Sequence, residues 1–168
     1  HAQKVKYCAM EVSSHALDQE RVAGINFRCA IFTNLTQDHL DYHKNLESYF
    51  LAKAKLFSSL SPTSMAIINN DDKYSRRIKR LTRARHLSYG IENKSNVMAK
   101  EINYGMHATE FSLVAPNINM RIKTKLVGRY NIYNILAAAS WGISENLSIR
   151  DIKSAIEKFR NVPGRLQR

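Results

Sequence analysis

The chain has 168 residues, 44% hydrophobic and 24% charged, which is enough for one domain with a real core and excludes wholesale disorder or a collagen-like fibre. Lys and Arg number 26 against 14 Asp and Glu, and the net charge of +12 favours polyanionic partners: nucleic acid, an anionic membrane surface or phosphorylated small molecules. No apolar run approaches the ~20 residues of a membrane span, and no N-terminal stretch has the shape of a secretory signal.

Taken in chain order, residues 5–10 (VKYCAM) form a short apolar run and are expected to be a strand. The chain opens at His1 and is already apolar by Val5, so a segment of something longer is expected. Ser13 or Ser14 can cap a helix running to about residue 22, with Gly24 ending it. Residues 28–33 (RCAIFT) read as a second strand, and residues 46–60 as an amphipathic helix stopped before Pro62. Residues 64–68 (SMAII) give a third strand, followed by the polar turn NNDD at 69–72. A basic helix over about 73–81 and a short strand at 86–89 follow. The alternation predicts an α/β fold built on a partial, doubly wound, mostly parallel sheet.

The pattern then changes. Residues 96–104, 108–115 and 117–127 read as consecutive strands, with turns at 105–107 and 116–117. That is an appended antiparallel β meander. C-terminal helices are expected at 131–144 and 148–159, and the last ten residues or so read as a linker. Cys8 and Cys29, both in apolar runs and without a CxxC, are expected to be small buried hydrophobes in a reducing compartment, which favours the cytoplasm.

Functional side chains are densest in TNLTQDHLDYH, residues 33–43, directly after an expected strand. Ligands of doubly wound sheets bind at the carboxyl ends of strands. Glu11 and the triplet Ser13-Ser14-His15 follow another expected strand in the same way, so the two segments can line one crevice. The alternative is a pair of polar loops whose side chains satisfy their own backbone. His39 and His43 stand four apart and would share one helix face, but the Glu of an H-E-x-x-H motif is missing and the zinc signal is weak. Glu11, Asp38 and Asp41 offer the hard oxygen atoms that magnesium prefers.

Lys53 is an anomaly. Leu46, Tyr49, Phe50, Leu56 and Phe57 form one apolar stripe, and Lys53 falls in the middle of it, whereas Lys55 does not. Either its stem packs on the core while the ammonium snorkels out, or it is a desolvated lysine with a lowered pKa, available for covalent chemistry. Arg76, Arg77, Lys79, Arg80, Arg83 and Arg85 make a basic patch; with few interleaved aromatics it reads better as a solvated helix face than as a nucleic-acid site. The chain contains no GxxxxGK[ST] and no GxGxxG, so a cradle for nucleotide phosphates would lie outside it.

Several motifs together resemble one family. They are MEVSSH at 10–15, FTNLT at 32–36 with DHLDYH at 38–43, and Ala52-Lys53 with Leu56-Phe57. AIIN at 66–69 with Asp71-Asp72, GRYNIYN at 128–134 and VPGR at 162–165 agree. In this order they resemble the Mur ligase family, closest to its members that add the third residue of the peptidoglycan peptide. The resemblance implies three domains, with residues 1–168 as the central ATPase domain lacking its N-terminal P-loop part. Within it, 1–95 would be the α/β part with the metal site, 96–128 the antiparallel part, 129–160 helices and 161–168 the start of a linker to a C-terminal domain.

The implied activity is ATP-dependent amide-bond formation on UDP-N-acetylmuramoyl-dipeptide, with an amino acid as the second substrate, through an acyl phosphate. By the same resemblance Glu11 and His39 are magnesium ligands, and Lys53 matches a lysine carbamylated to hold a second magnesium. Ser13, Gln19 and Arg21 match contacts to the UDP-substrate, and Asn134 and Arg165 contacts to the nucleotide. A cytoplasmic monomer without nucleic-acid or membrane partners is expected. A sister Mur or folylpolyglutamate-type ligase, a metal-dependent hydrolase on Asp38, His39, Asp41 and His43, and a nucleic-acid-binding module remain as alternatives.

Overall fold

The computed structural model describes residues 5–36 and 40–160. Among these, six strands form one sheet in chain order: β1 (Cys29–Phe32), β2 (Met65–Asn69), β3 (Arg85–Gly90), β4 (Val97–Tyr104), β5 (Thr109–Ala115) and β6 (Ile118–Thr124). The first four run parallel and the last three antiparallel, so β4 belongs to both arrangements. Between β3 and β4 the parallel pairing is only two residues long, Tyr89 with Val97 and Gly90 with Met98. The helices are α1 (Ser14–Asp18), α2 (Leu40–His43), α3 (Leu46–Ser58), α4 (Ser75–Leu81), α5 (Arg129–Ser144) and α6 (Ile149–Lys158). The α/β architecture with an antiparallel extension is the expected one.

The near-continuous apolar run of β2 follows from burial on both faces. Alternate residues serve two separate cores: Ala66 and Ile68 pack with Phe32, Phe50, Phe57 and Ile78 beneath α3 and α4, whereas Ile67 packs with Tyr89, Leu113, Ile132 and Leu136 beneath α5. Each fully buried side chain of this size contributes about 1.5–3 kcal/mol relative to exposure. Helix α3 presents the expected stripe, with Tyr49, Phe50 and Phe57 buried, and Asn45 caps it by accepting from the Ser48 N–H at 2.8 Å. Gly128, at φ 99°, turns the chain into α5 through a backbone conformation that side chains resist. No helix among the described residues is long and apolar enough to cross a membrane.

Three expectations need correction. Residues 5–10 are not a strand. They have no sheet partner, Val5 is 71% exposed, and Tyr7 instead packs edge-on against Trp141 of α5, 5.3 Å between ring centroids. Cys8 is exposed for the same reason; Cys29 is half-buried, and burial pushes its thiol up to about 11. The helix capped by Ser13 is also shorter than expected, because Glu20 adopts φ 54° and turns continue to Gly24. Gln19 and Arg21 therefore lie beyond the helix rather than on it.

Candidate functional site

The residues at the carboxyl ends of β1, β2 and β3 hold one another. The Phe32 carbonyl accepts from the Tyr89 hydroxyl at 3.2 Å, and the Thr33 carbonyl from the Asn69 amide at 2.7 Å. The Leu35 N–H donates to Asp72 Oδ2 at 2.9 Å, and the Asn34 carbonyl accepts from Lys53 Nζ at 3.4 Å. The loop after β1 is thus pinned to the turn after β2 and to the middle of α3. Lys53 is half-buried, its Nζ 5.3 Å from the centroid of the Tyr49 ring. Its stem does lie on the apolar stripe, and its head is directed at the strand end.

The two segments singled out in sequence come together at the head of α1. Ser13 caps the helix, its Oγ accepting from the Ala16 N–H at 3.1 Å. Ser14 is buried and shares a 2.8 Å hydrogen bond with Nε2 of His43, itself buried and stacked on Tyr49. The His15 ring lies against Tyr42, 4.1 Å between centroids. The Tyr42 hydroxyl donates to Asp18 at 3.1 Å, and the Gln19 amide reaches that hydroxyl at 3.5 Å. Lys55, off the stripe as expected, pairs with Asp18 at 3.0 Å; this hydrogen bond, with that of Tyr42, holds the Asp18 carboxyl below the usual range. Glu11, just ahead of α1, and Arg21, in the turn after it, are both exposed.

Asp38, His39 and Arg165 lie outside the described residues. Asn134 is exposed on α5, in the helical turn after Arg129 and Asn131. Among the described residues no three His, Cys, Asp or Glu side chains are grouped to hold a metal ion. Glu11 supplies an accessible hard carboxylate, and Lys53 an ammonium, which repels a cation. A magnesium-binding role for Lys53 would therefore require its conversion to an oxygen ligand.

Asp71 carries no role in the sequence motifs beyond its place in the Asp71-Asp72 pair. Its carboxylate accepts from the backbone N–H groups of Ile91 (2.6 Å), Glu92 (3.0 Å) and Asn93 (2.7 Å), and from the Tyr133 hydroxyl at 2.9 Å. Burial raises its pKa, but these donors outweigh it and hold the group below the ordinary carboxylate value. The sequence signal was the acidic pair in the turn after β2; its partners lie about 20 and 60 residues away, beyond any local pattern. The basic stretch divides. Arg77 forks onto Glu47 and lies over Phe50, 3.9 Å from the ring centroid, and Lys79 donates to Asn70 at 2.7 Å. Arg76, Arg80, Arg83 and Arg85 remain exposed. A depression of about 620 Å³ lined by Asn70, Asp72, Lys73, Arg76 and Lys79 opens beside the head of α4.

Comparison with known proteins identifies the family of the fold. The model of the Mur ligase middle domain matches residues 1–142. A UDP-N-acetylmuramoyl-L-alanyl-D-glutamate–2,6-diaminopimelate ligase of Bacillus velezensis is 48% identical over 164 residues, covering 94% of this chain and 34% of the relative. The ligase of the same name from Geobacillus kaustophilus is 43% identical over 97% of this chain and 35% of its own length. A solved structure of a ligase of that name superimposes with a TM-score of 0.83 at 29% identity, over 93% of this chain and 33% of that one. The MurF ligase from Thermotoga maritima in complex with ADP shares the fold, with a TM-score of 0.76 at 17% identity over 92% of this chain and 35% of that one. The chain spans about a third of the length of the curated relatives it matches. With a sheet shared with solved relatives and a family match over most of its length, the chain belongs to the Mur ligase middle-domain family.

Proposed function

We propose that the chain is the central ATPase part of a ligase that adds 2,6-diaminopimelate to UDP-N-acetylmuramoyl-L-alanyl-D-glutamate in peptidoglycan synthesis. The supporting observation is the 48% identity, over 94% of the chain, to a ligase named for that reaction. The reaction runs in two steps. The γ-phosphoryl group of ATP passes to the substrate carboxylate, giving ADP and an acyl phosphate. The incoming amine then attacks the acyl carbon, the C–O bond to phosphate breaks, and the amine gives up a proton as the amide forms.

Both steps crowd anions together, so positioning and charge compensation carry the catalysis. Ser13, Gln19 and Arg21 would hold the UDP-substrate around the head and tail of α1. Asn134 and Arg165 would hold the nucleotide. Glu11, His39 and Lys53, the last as a carbamate, would hold magnesium. Magnesium, when bound, would supply positive charge that offsets the crowded anions. The contact of the unmodified Lys53 Nζ with the Asn34 carbonyl directs this side chain to the strand end, where ligands of such sheets sit, and so supports the reading. The domain limits implied by the resemblance, with 1–95 as the α/β part and 161–168 as a linker, belong to this reading, as does a cytoplasmic monomer.

The test uses both the parent ligase and the 168-residue chain. The parent should join 2,6-diaminopimelate to the UDP-dipeptide and release ADP and phosphate in equal amounts. The 168-residue chain alone should not, because it lacks a phosphate-binding glycine loop. Turnover by the short chain, or none by the parent, would overturn the reading.

A further inference from the structure

Helix α5 reaches the strand ends at its first two turns, and two contacts fix it there. The Tyr133 hydroxyl donates to Asp71 Oδ2 at 2.9 Å and accepts from Arg129 Nη2 at 3.3 Å. Arg129 also pairs with Glu92, whose own N–H donates to Asp71. Asp71 is itself an anchored acceptor, because three successive N–H groups of the 91–93 loop close on it. Gly90 makes room for this arrangement: a Cβ there would stand 3.0 Å from Asp71 Oδ1 and 2.9 Å from Ser95 Oγ. The carboxylate, the loop after β3 and the start of α5 thus form one rigid unit.

Tyr133 and Asn134 are consecutive on α5, about 100° apart around its axis. Whatever fixes the rotation of the helix at Tyr133 fixes the direction of Asn134. A roll of about 20° carries a side-chain tip some 6 Å from the axis through about 2 Å, which is enough to break a hydrogen bond. Tyr133 is half-buried and aimed at protein; Asn134 is exposed and aimed outward.

We propose that Tyr133 and Asp71 are a positioning pair: their hydrogen bond sets the rotation of α5 and so presents Asn134 to the nucleotide. The inference rests on the reading of Asn134 as a nucleotide contact. Neither Tyr133 nor Asp71 needs to touch ATP for this role.

The experiment is made on the parent ligase, with Tyr133→Phe, Asp71→Asn and Asn134→Ala, singly and paired. Steady-state kinetics and calorimetric binding of ADP are read beside the melting temperature. Tyr133→Phe should raise the KM for ATP and weaken ADP binding three- to tenfold. The kcat, the KM for the UDP-substrate and, within a few degrees, the melting temperature should hold. Asp71→Asn, similar in shape, should shift the same parameter. In an Asn134→Ala background Tyr133→Phe should add little further loss. An unchanged KM for ATP in Tyr133→Phe, or a full additional loss on top of Asn134→Ala, would overturn the positioning role alone. If Asn134→Ala itself leaves ADP binding unchanged, the nucleotide role of Asn134 fails and the inference falls with it.

Discussion

Ser14 Oγ and His43 Nε2 lie 2.8 Å apart, both buried, and their hydrogen bond joins the first turn of α1 to the last residue of α2. The two polar segments on either side of β1 are therefore held as one body. Which ring nitrogen carries the proton sets which partner donates.

Ser14→Ala should lower stability by about 1–3 kcal/mol, because it takes one partner from a buried hydrogen bond. Ser13→Ala removes an exposed cap and should cost about 1 kcal/mol. Urea unfolding of the two variants should rank them in that order. Equal losses would mean that the Ser14–His43 contact contributes no more than an ordinary cap.

Lys53→Ala in the parent ligase should nearly abolish ligation with the melting temperature little changed. The Lys53 ammonium gives up one proton, and the neutral Nζ then joins CO₂ and loses a second, so a charge of +1 becomes −1. Short carboxylates added to Lys53→Ala should restore part of the activity by supplying oxygen at the vacated position. Lys53→Arg keeps the positive charge and cannot become a ligand, so it should stay inactive. Near-full activity in Lys53→Arg would leave Lys53 as a packed side chain whose head hydrogen-bonds Asn34.

Arg21→Ala should raise the KM for the UDP-substrate about tenfold or more, the usual loss for a charge-assisted contact to an anion, and leave that for ATP nearly unchanged. Arg21 stands in the turn after α1 with its side chain exposed, so loss of packing does not compete as an explanation. Equal changes in both KM values would assign it to the shape of the turn.

The Asp71 carboxyl has a folded-state pKa below its unfolded value, so its ionised form stabilises the fold. That contribution is complete above the unfolded carboxylate range near 4 and is lost as pH falls through the lower folded value. Tyr133, Arg129 and Glu92 belong to the same network, with Asp72 and Lys79 on the neighbouring turn and helix. Asp71→Asn should unfold more easily at pH 7 and should lose less additional stability than the natural chain between pH 5 and pH 3. Parallel pH profiles for the two proteins would contradict this.

Much of the architecture was legible because it is periodic. The continuous apolar run in MAIIN and the stripe through Tyr49, Phe50 and Phe57 are local signals, and these two elements formed where their signals stood. Residues 5–10 misled for a physical reason: an apolar run becomes a strand only when a neighbouring strand takes its hydrogen bonds, and no window of sequence shows the neighbour. Lys53 was conspicuous because a charge on an apolar stripe is costly. Asp71 was not, because an acidic residue in a turn is ordinary until the 91–93 loop folds over it. Ser14 and His43 are 29 residues apart, and only the fold pairs them.

The two-residue seam between β3 and β4 bears on how the chain folds. The strands β4, β5 and β6 are joined by short turns, so their pairing closes small loops at little entropic cost. The parallel half must wait for crossovers through α3 and α4. The meander is accordingly expected to form early, and the parallel strands to be recruited when α5, which packs on β2, β3 and β4 alike, docks across the seam. Truncations at Leu113 and Ile122 should then slow folding, and truncation at Ile68 should mainly speed unfolding, in stopped-flow measurements. The reverse assignment would place the nucleus in the parallel half.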